Sequence, residues 1–439
     1  MPETPLQRSK QRPKIGFVHR FDARDIRSWS GIFFFMARAL EDHVGEVVYL
    51  GPDKSAGTKF IVDNTARVNR FWQRLTGKFL ATDKNRVLAK RLARFFEKRI
   101  EEMPCDILFA PVAAVEIAYL KTDLPIVYYS DITWNQIVDY YPEFSGVSAF
   151  GRAEGQLIES LAIARAKASA YPSEWAVESA CDEYGSPRES TFKISFGANL
   201  NDPPSRASAI CRSLSGPVNL LLVGVDWDRK GGAIALECLI SLLEKGVDAH
   251  LTIMGCKPPV GVSHPRMHVI PFLSKHDPEQ RKQIAQLFLQ AHFMLLPTRA
   301  DATPIVTCEA SAFGLPTLAT DTGGLQGSIT YGVNGFLLPA EAHGDAYADK
   351  ILSVIADPAG YDDLVVSTRN EFENNLNWDA WGRSMRNIFE MVLQRPIPSG
   401  SSREPFDRFS ATENRDAASE NNQGSPELAS SLASEVSRM

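Results

Sequence analysis

Apolar and polar positions along this chain keep switching between the period of a strand and the period of a helix. Short apolar runs bounded by turn residues stand at "KIGFVH" (14–19), "GEVVYLG" (45–51), "CDILFAP" (105–111), "PIVYYSD" (125–131), "ASAYPS" (168–173) and "TFKISFGANL" (191–200). Each reads as a strand. Helical patterns lie between them, at "GIFFFMARALEDHV" (31–44), at about 151–168, and at "WAVESACDEYG" up to Gly185. The opening is a βαβ unit. After the polar, proline-bearing "NDPPSR" (201–206) the alternation restarts. "PVNLLLVGVD" (217–226) is almost wholly apolar, as expected for a strand buried on both sheet faces. "GGAIALECLISLLEKG" (231–246) reads as a helix ended by Gly246. "AHLTIMG", "MHVIPF", "HFMLLPT", "PTLAT" and "GFLLP" follow as strands, and "LNWDAWGRSMRNIFEMVLQR" (376–395) as a last helix.

The pattern predicts two consecutive α/β domains with parallel sheets, at 14–205 and 206–375. Residues 376–395 are expected to pack back toward the N-terminal domain. Residues 1–13 read as a flexible lead. Residues 396–439, rich in Ser, Glu, Asn and Pro, bury too little apolar surface to offset their ordering entropy and read as a disordered tail.

Composition narrows the class. With 47 basic and 53 acidic side chains the net charge is -6, which leaves no global footprint for nucleic acid. Six cysteines, at 105, 181, 211, 238, 256 and 308, form no CxxC pair and read as reduced thiols rather than a disulfide framework or zinc knuckle. No apolar run reaches membrane-spanning length and no signal peptide is expected, so the expected compartment is the cytoplasm. Residues 67–99 depart from the even charge, with eleven Arg and Lys against Asp83 and Glu97. Phe71, Leu75 and Phe79 recur every four residues beside Trp72, and Val87, Leu88, Leu92, Phe95 and Phe96 mark a second stripe. Two readings stand: helices lying on an anionic membrane, or surface helices whose apolar faces pack inward. Oligomeric state is not encoded in any pattern found.

Candidate chemistry concentrates in "LLPTRADATPIVTCEASAFGLPTLATDTGGLQG" (295–327). A strand ends at Pro297 and a loop carries Arg299 and Asp301. Thr303 is expected to cap a helix that begins at Pro304 and stops at Gly314, with Glu309 inside it. Ligands of open α/β sheets bind beyond the carboxyl ends of strands, and two carboxylates there suit a polyhydroxylated ligand. A capping Asp and a solvated Glu would give the same spacing. The next strand runs into "DTGGLQG", where Thr322, Gly323 and Gly324 can bring backbone amides close to a phosphate. A third element, "GVDWDRKGG" (224–232), places Arg229 and Lys230 at a helix N-terminus. The dipole disfavours cations there unless an anion is shared, and a diphosphate would supply one. A pair of solvent-facing bases is the competing reading.

Together these segments resemble the GT-B glycosyltransferases of the retaining family 4, often called glycosyl transferases group 1. The resemblance covers about 14–395 and is most specific over 217–340. The family's paired acids stand here as Asp301 and Glu309, followed by "AFGLP" and "ATDTGG". The resemblance implies two Rossmann-like domains facing each other across a cleft. It implies transfer of a sugar, with retention and without a metal or other cofactor, from a UDP- or GDP-linked donor. The acceptor would be a saccharide or a lipid-linked hydroxyl, as in bacterial surface polysaccharide synthesis. Asp301 would contact the donor sugar, Glu309 the nucleotide ribose and Lys230 the diphosphate. The family's diphosphate arginine falls on Val225, and Asp301 is one methylene shorter than the usual Glu. Gly31, after Ser30, matches the phosphate-facing glycine loop of the first domain, and Gly197 and Asn199 lie in a segment expected near the ligand. Asp131 is the polar group expected nearest the reaction centre, against the alternative of a helix cap. His19 is either a group lining the acceptor site or a structural histidine. Two other functions stay open: a GT-B sugar-nucleotide-binding or scaffold protein impaired by Val225 and Asp301, and a nucleotide-sugar epimerase.

Overall fold

The structure is a computed structural model that describes residues 11–398; the 396–439 tail and the 1–13 lead fall almost wholly outside the described residues. The strands are β1 (Lys14–Phe17), β2 (Glu46–Tyr49), β3 (Ile107–Pro111), β4 (Ile126–Tyr129), β5 (Ala168–Tyr171), β6 (Thr191–Lys193), β7 (Val218–Val223), β8 (Ala249–Met254), β9 (Met267–Ile270), β10 (Phe293–Leu296), β11 (Thr317–Thr320) and β12 (Gly335–Leu338). They form two six-stranded parallel sheets, ordered β2-β1-β3-β4-β5-β6 and β12-β11-β10-β7-β8-β9. Every strand expected from the pattern is present, trimmed where the chain leaves the ladder. Helices of eight residues or more are α1 (Ile32–His43), α2 (Ala56–Thr76), α3 (Arg86–Glu102), α4 (Ala149–Arg165), α5 (Glu174–Asp182), α6 (Gly232–Glu244), α7 (Pro278–Gln290), α8 (Ile305–Ala312), α9 (Gly344–Ile355), α10 (Pro358–Asn374) and α11 (Trp378–Leu393).

The chain divides into two compact units. Of the described residues, the first comprises 11–129, Ile137–Ala168 and 382–398; the second comprises Ser130–Gln136 and Ser169–Trp381. In the first unit, Phe17 of β1 meets Phe33 of α1 and Phe109 of β3 edge-on at 6.1 and 5.5 Å. The C-terminal helix completes this core. Met385, Ile388 and Phe389 are buried, and the Phe389 ring lies 6.3 Å from that of Phe109. A Cβ on Gly382 would come within 2.4 Å of the His43 ring, so glycine lets α11 approach α1 closely.

The basic stretch resolves into two unlike helices. On α3, which Asn85 caps by accepting from the Leu88 amide at 2.9 Å, Leu88, Leu92 and Phe96 are buried. Those three residues are core, and Phe95 is half-buried; Val87, at the start of the stripe, is exposed, so the membrane reading does not extend to most of this stripe. On α2 the stripe is open: Phe60, Val68, Phe71, Trp72 and Leu75 are all exposed. Phe79 is not on this helix. Gly77, at φ +69°, ends α2, and Phe79 instead forms an isolated parallel bridge with Val147. The four-residue repeat 71, 75, 79 thus crosses a helix terminus.

In the second unit, β7 lies between β10 and β8. Leu220, Leu222, Leu251, Ile253, Phe293 and Leu295 pack with Leu239, Leu242, Tyr347 and Tyr361 from the flanking helices. The chain proceeds from β7 through β8 to β9, then returns to β10 on the other side of β7. The strand order therefore reverses between β7 and β10, and the carboxyl ends at such a switch point are where an open α/β sheet takes its ligand. Arg212 braces this unit. Its guanidinium donates to the carbonyls of Phe288 (2.9 Å), Leu289 (3.0 Å), Phe313 (2.6 Å), Gly314 (3.2 Å) and Ala291. A cation thus satisfies orphan carbonyls at the C-termini of both α7 and α8.

Candidate functional site

Two loops meet at the switch point. The one leaving β7 is shaped by Asp226, whose carboxylate accepts from the Arg229 amide at 2.9 Å while its carbonyl accepts from the Lys230 amide at 3.1 Å. The loop leaving β10 is tied to it: the Arg229 carbonyl accepts from the Arg299 amide at 2.8 Å and from the Thr298 hydroxyl at 2.9 Å. Gly231 sits at φ +74° before α6, and a Cβ there would lie 2.0 Å from the Pro297 carbonyl oxygen. Gly224 makes room for the lysine, since a Cβ would meet Lys230 Cγ at 2.6 Å.

These constraints bring Lys230 and Asp301 together as a buried ion pair, each residue 8% exposed. Arg229 Nη1 lies 3.6 Å from the same carboxylate oxygen and donates to the Ala300 carbonyl at 3.0 Å. The conflict between Lys230 and the helix dipole is thus relieved within the chain, by Asp301. Both bases and the acid lie at the β7/β10 crevice, and none is a free surface charge.

Helix α8 begins differently from expectation. Thr303 does not cap it; its hydroxyl donates to the Ala302 carbonyl at 2.6 Å, and Pro304 occupies the N-cap with ψ 121°. Pro304 itself is extended, so the first helical residue is Ile305 and Thr303 stands one position too early to cap it. Glu309 is buried inside α8 and pairs with Lys275 from the turn before α7. Burial pushes its carboxyl above the usual carboxylate range, and Lys275 pulls it back. Around it, Thr307 donates to Ser328 at 2.7 Å, and the Asn334 amide donates to Ser311 at 3.1 Å and to the Ser328 carbonyl at 2.8 Å. This web locks α8 to the loop after β11.

That loop also touches the Asp301 loop. The Gly324 amide donates to the Asp301 carbonyl at 3.3 Å, and a Cβ on Gly324 would fall 1.9 Å from the Ala302 carbonyl oxygen. Gly323 is left-handed at φ +55°, and Thr322 before it is half-buried. Arg229, Lys230, Asp301, Thr322, Gly323 and Gly324 therefore lie on loops at the carboxyl edge of one sheet, while Glu309 stands within α8, the helix that follows the Asp301 loop. Lys275 joins them and was not found from sequence.

The remaining candidates have other settings. Gly197 packs where a Cβ would lie 2.4 Å from the Trp378 amide nitrogen, and Asn199 accepts from the Trp378 indole at 3.0 Å. Both therefore fix the chain against the start of α11. Asp131 stands beyond β4 in the 130–136 segment that groups with the second unit. Gly31 belongs to the first unit, as the left-handed N-cap of α1 (φ +88°) after two further left-handed residues, Trp29 and Ser30. His19 is buried against Phe33, its Nδ1 accepts from the Phe21 amide at 3.1 Å, and burial holds its pKa well below the ordinary value. Val225, at the family's arginine position, is exposed.

Paired parallel sheets of this order, with basic and acidic groups at the switch point of the second, define the GT-B fold. Sucrose-phosphate synthase from Thermosynechococcus elongatus superposes with a TM-score of 0.60 at 14% identity, covering 87% of this chain and 100% of that one. HepE of Anabaena, solved in complex with UDP-glucose, gives 0.56 at 14% identity, with coverages of 87% and 100%. Residues 217–357 match the family described as Glycosyl transferases group 1, as the motifs there implied. The D-inositol 3-phosphate glycosyltransferase of Corynebacterium urealyticum is 22% identical over 192 residues, 42% of this chain and 44% of that protein. That of Nocardiopsis dassonvillei is 26% identical over 239 residues, 51% and 55%. The matches span about half or less of the length of these curated relatives.

Proposed function

We propose that this chain is a retaining glycosyltransferase that moves a sugar from a UDP- or GDP-linked donor to a hydroxyl of a saccharide or lipid-linked acceptor. The observation that carries the reading is the Lys230–Asp301 pair with Arg229 beside it at the β7/β10 switch point. A nucleotide diphosphate arriving there exchanges one anion for another: Lys230 and Arg229 turn from the carboxylate to the phosphates, and Asp301 is freed to accept from the donor sugar's hydroxyls. In the transition state the bases offset charge on the leaving diphosphate. Amides of the Gly323–Gly324 loop add dipoles of the same sign, and Gly31, at the α1 N-terminus of the first unit, is proposed as a further phosphate-facing glycine. Glu309 accepts from the ribose. Asp131 is the polar group assigned to the reacting sugars. The acceptor hydroxyl attacks on the face that the leaving group vacates.

A donor panel tests this: thermal stabilisation by UDP- and GDP-sugars, then nucleotide release with and without saccharide acceptors. Lys230→Ala should slow transfer by about 10²-fold or more, the range seen on losing a group that stabilises transition-state charge, and Glu309→Ala should mainly weaken nucleotide binding. Wild-type kinetics in both variants would remove the assignment. The exposed Val225 favours one second reading, a sugar-nucleotide-binding protein without turnover. Donor binding with no nucleotide release under any acceptor would select it.

The open stripe of α2 supports a peripheral contact with anionic membrane, since Phe71, Trp72 and Leu75 are exposed among Arg67, Arg70, Arg74 and Lys78. No helix among the described residues is long and apolar enough to cross a membrane. Co-sedimentation with phosphatidylserine vesicles should fall sharply in Phe71→Ser/Trp72→Ser; unchanged binding would end this part of the proposal.

A further inference from the structure

Glu309 is an awkward acceptor for a neutral hydroxyl. It is almost fully buried, and burial favours its protonated form. Lys275 is the cation paired with it, and it arrives from a different element 34 residues earlier. The lysine is held in place by its own turn. The Ser274 amide donates to the Gln280 side chain at 2.7 Å, the His276 amide to Ser274 Oγ at 3.2 Å, and Asp277 caps α7 by accepting from the Gln280 amide at 2.8 Å. The lysine side chain keeps 40% of its surface exposed while the Glu309 side chain keeps 4%. The pair is therefore open to solvent on one side only, the lysine side, at the carboxyl edge of the sheet.

We propose that Lys275 is a positioning residue of the nucleotide site, whose ammonium fixes the Glu309 carboxylate as the acceptor of the ribose hydroxyls. The inference rests on the glycosyltransferase reading, which assigns the ribose to Glu309. One oxygen of a carboxylate can take the lysine while its other lone pairs take hydroxyls. A hydrogen bond to an ionised acceptor is roughly twice as strong as one to a neutral acceptor. Removing the lysine leaves a buried carboxyl that takes up a proton more readily and grips the ribose less. The titratable groups facing Glu309 among the described residues are Lys275 and the Cys308 thiol, whose pKa is itself pushed up by burial, to about 12. Below pH 9 the thiol carries no charge, so the lysine sets the ionisation.

Calorimetric titration of Lys275→Met, Lys275→Gln and Lys275→Arg with the preferred nucleotide diphosphate and its 2′,3′-dideoxy analogue, from pH 5.5 to 8.5, tests this. The wild type should prefer the ribonucleotide at every pH. In Lys275→Met and Lys275→Gln that preference should shrink by about tenfold, equivalent to about 1.4 kcal/mol. It should shrink further as pH falls, while affinity for the dideoxy analogue stays at the wild-type value, showing an intact fold. Lys275→Arg should restore the preference. A neutral variant that keeps full ribose preference, or binds the ribonucleotide more tightly because a competitor has gone, overturns the role of Lys275 and leaves the glycosyltransferase reading standing. Failure of the wild type to bind UDP or GDP overturns both.

Discussion

Replacing Lys230 by Met strands a buried carboxylate. Removing one partner of a buried ion pair ordinarily costs about 3–5 kcal/mol, because the other charge stays desolvated. Here the loss should be smaller, since Arg229 Nη1 remains 3.6 Å from the same Asp301 oxygen. At an effective dielectric of about 20 that separation is worth about 4–5 kcal/mol of attraction, enough to offset much of the desolvation. We therefore expect Lys230→Met to lower local stability by about 1–3 kcal/mol, and Arg229→Met/Lys230→Met to reach the full ~3–5 kcal/mol. Adding Asp301→Asn to Lys230→Met should recover part of the loss, because the stranded carboxylate is gone and the Arg229 guanidinium that remains charged keeps its bond to the Ala300 carbonyl. Native-state hydrogen exchange at the Lys230 and Arg299 amides is the appropriate assay, since their bonds to Asp226 and Arg229 lock the two loops at the switch point. Each tenfold change in exchange rate corresponds to about 1.4 kcal/mol. Equal exchange in Lys230→Met and Lys230→Met/Asp301→Asn would show that the pair is not energetically coupled, and the reasoning about the site's electrostatics would fail.

Other substitutions probe separate features. Gly324→Ala forces a Cβ to within 1.9 Å of the Ala302 carbonyl oxygen, so the Asp301 loop must move; with misplacements of about 1 Å costing on the order of 10² in rate, kcat/KM for donor should fall by that factor. Arg212→Met uncaps five carbonyls at two helix ends and should lower stability by about 3 kcal/mol or more, read as a fall in the thermal midpoint. His19 is held below its ordinary pKa when folded, so the unfolded chain binds the proton first; its contribution is complete above about pH 6.5 and is lost as pH falls through the depressed folded value. Thermal midpoints measured from pH 7 to pH 5 should fall less steeply in His19→Gln than in the wild type.

Much of this was legible in the chain for identifiable reasons. Strands buried on both faces, such as β7 and β10, write continuous apolar runs, and the polar residues just past them mark the carboxyl edge where Lys230 and Asp301 stand. Glycine spacing located the Gly323–Gly324 loop. What escaped depends on which surface covers which. Lys275 sits in a polar turn, "SKHDPEQ", that looks like any helix approach, and its partner lies far along the chain. The stripes of α2 and α3 have the same period and the same basic flanks, yet most of one is core and the other is exposed, and periodicity cannot say what lies against a face. Thr303 carries the right side chain for a cap, but the helix starts one residue later than its position requires, with Pro304 at the N-cap.

The first unit is threaded so that the start of the polypeptide needs its far end. Phe109 is made early, but the ring that closes over it belongs to Phe389. At roughly 5–20 residues per second, ribosomal synthesis separates the two by on the order of 15–55 seconds. During that interval the nascent chain holds an unfinished apolar face while the whole second unit is being made. A truncated messenger ending near residue 375 would leave that face permanently uncovered. Such a product should be a chaperone client rather than a working fragment, however well its second unit folds.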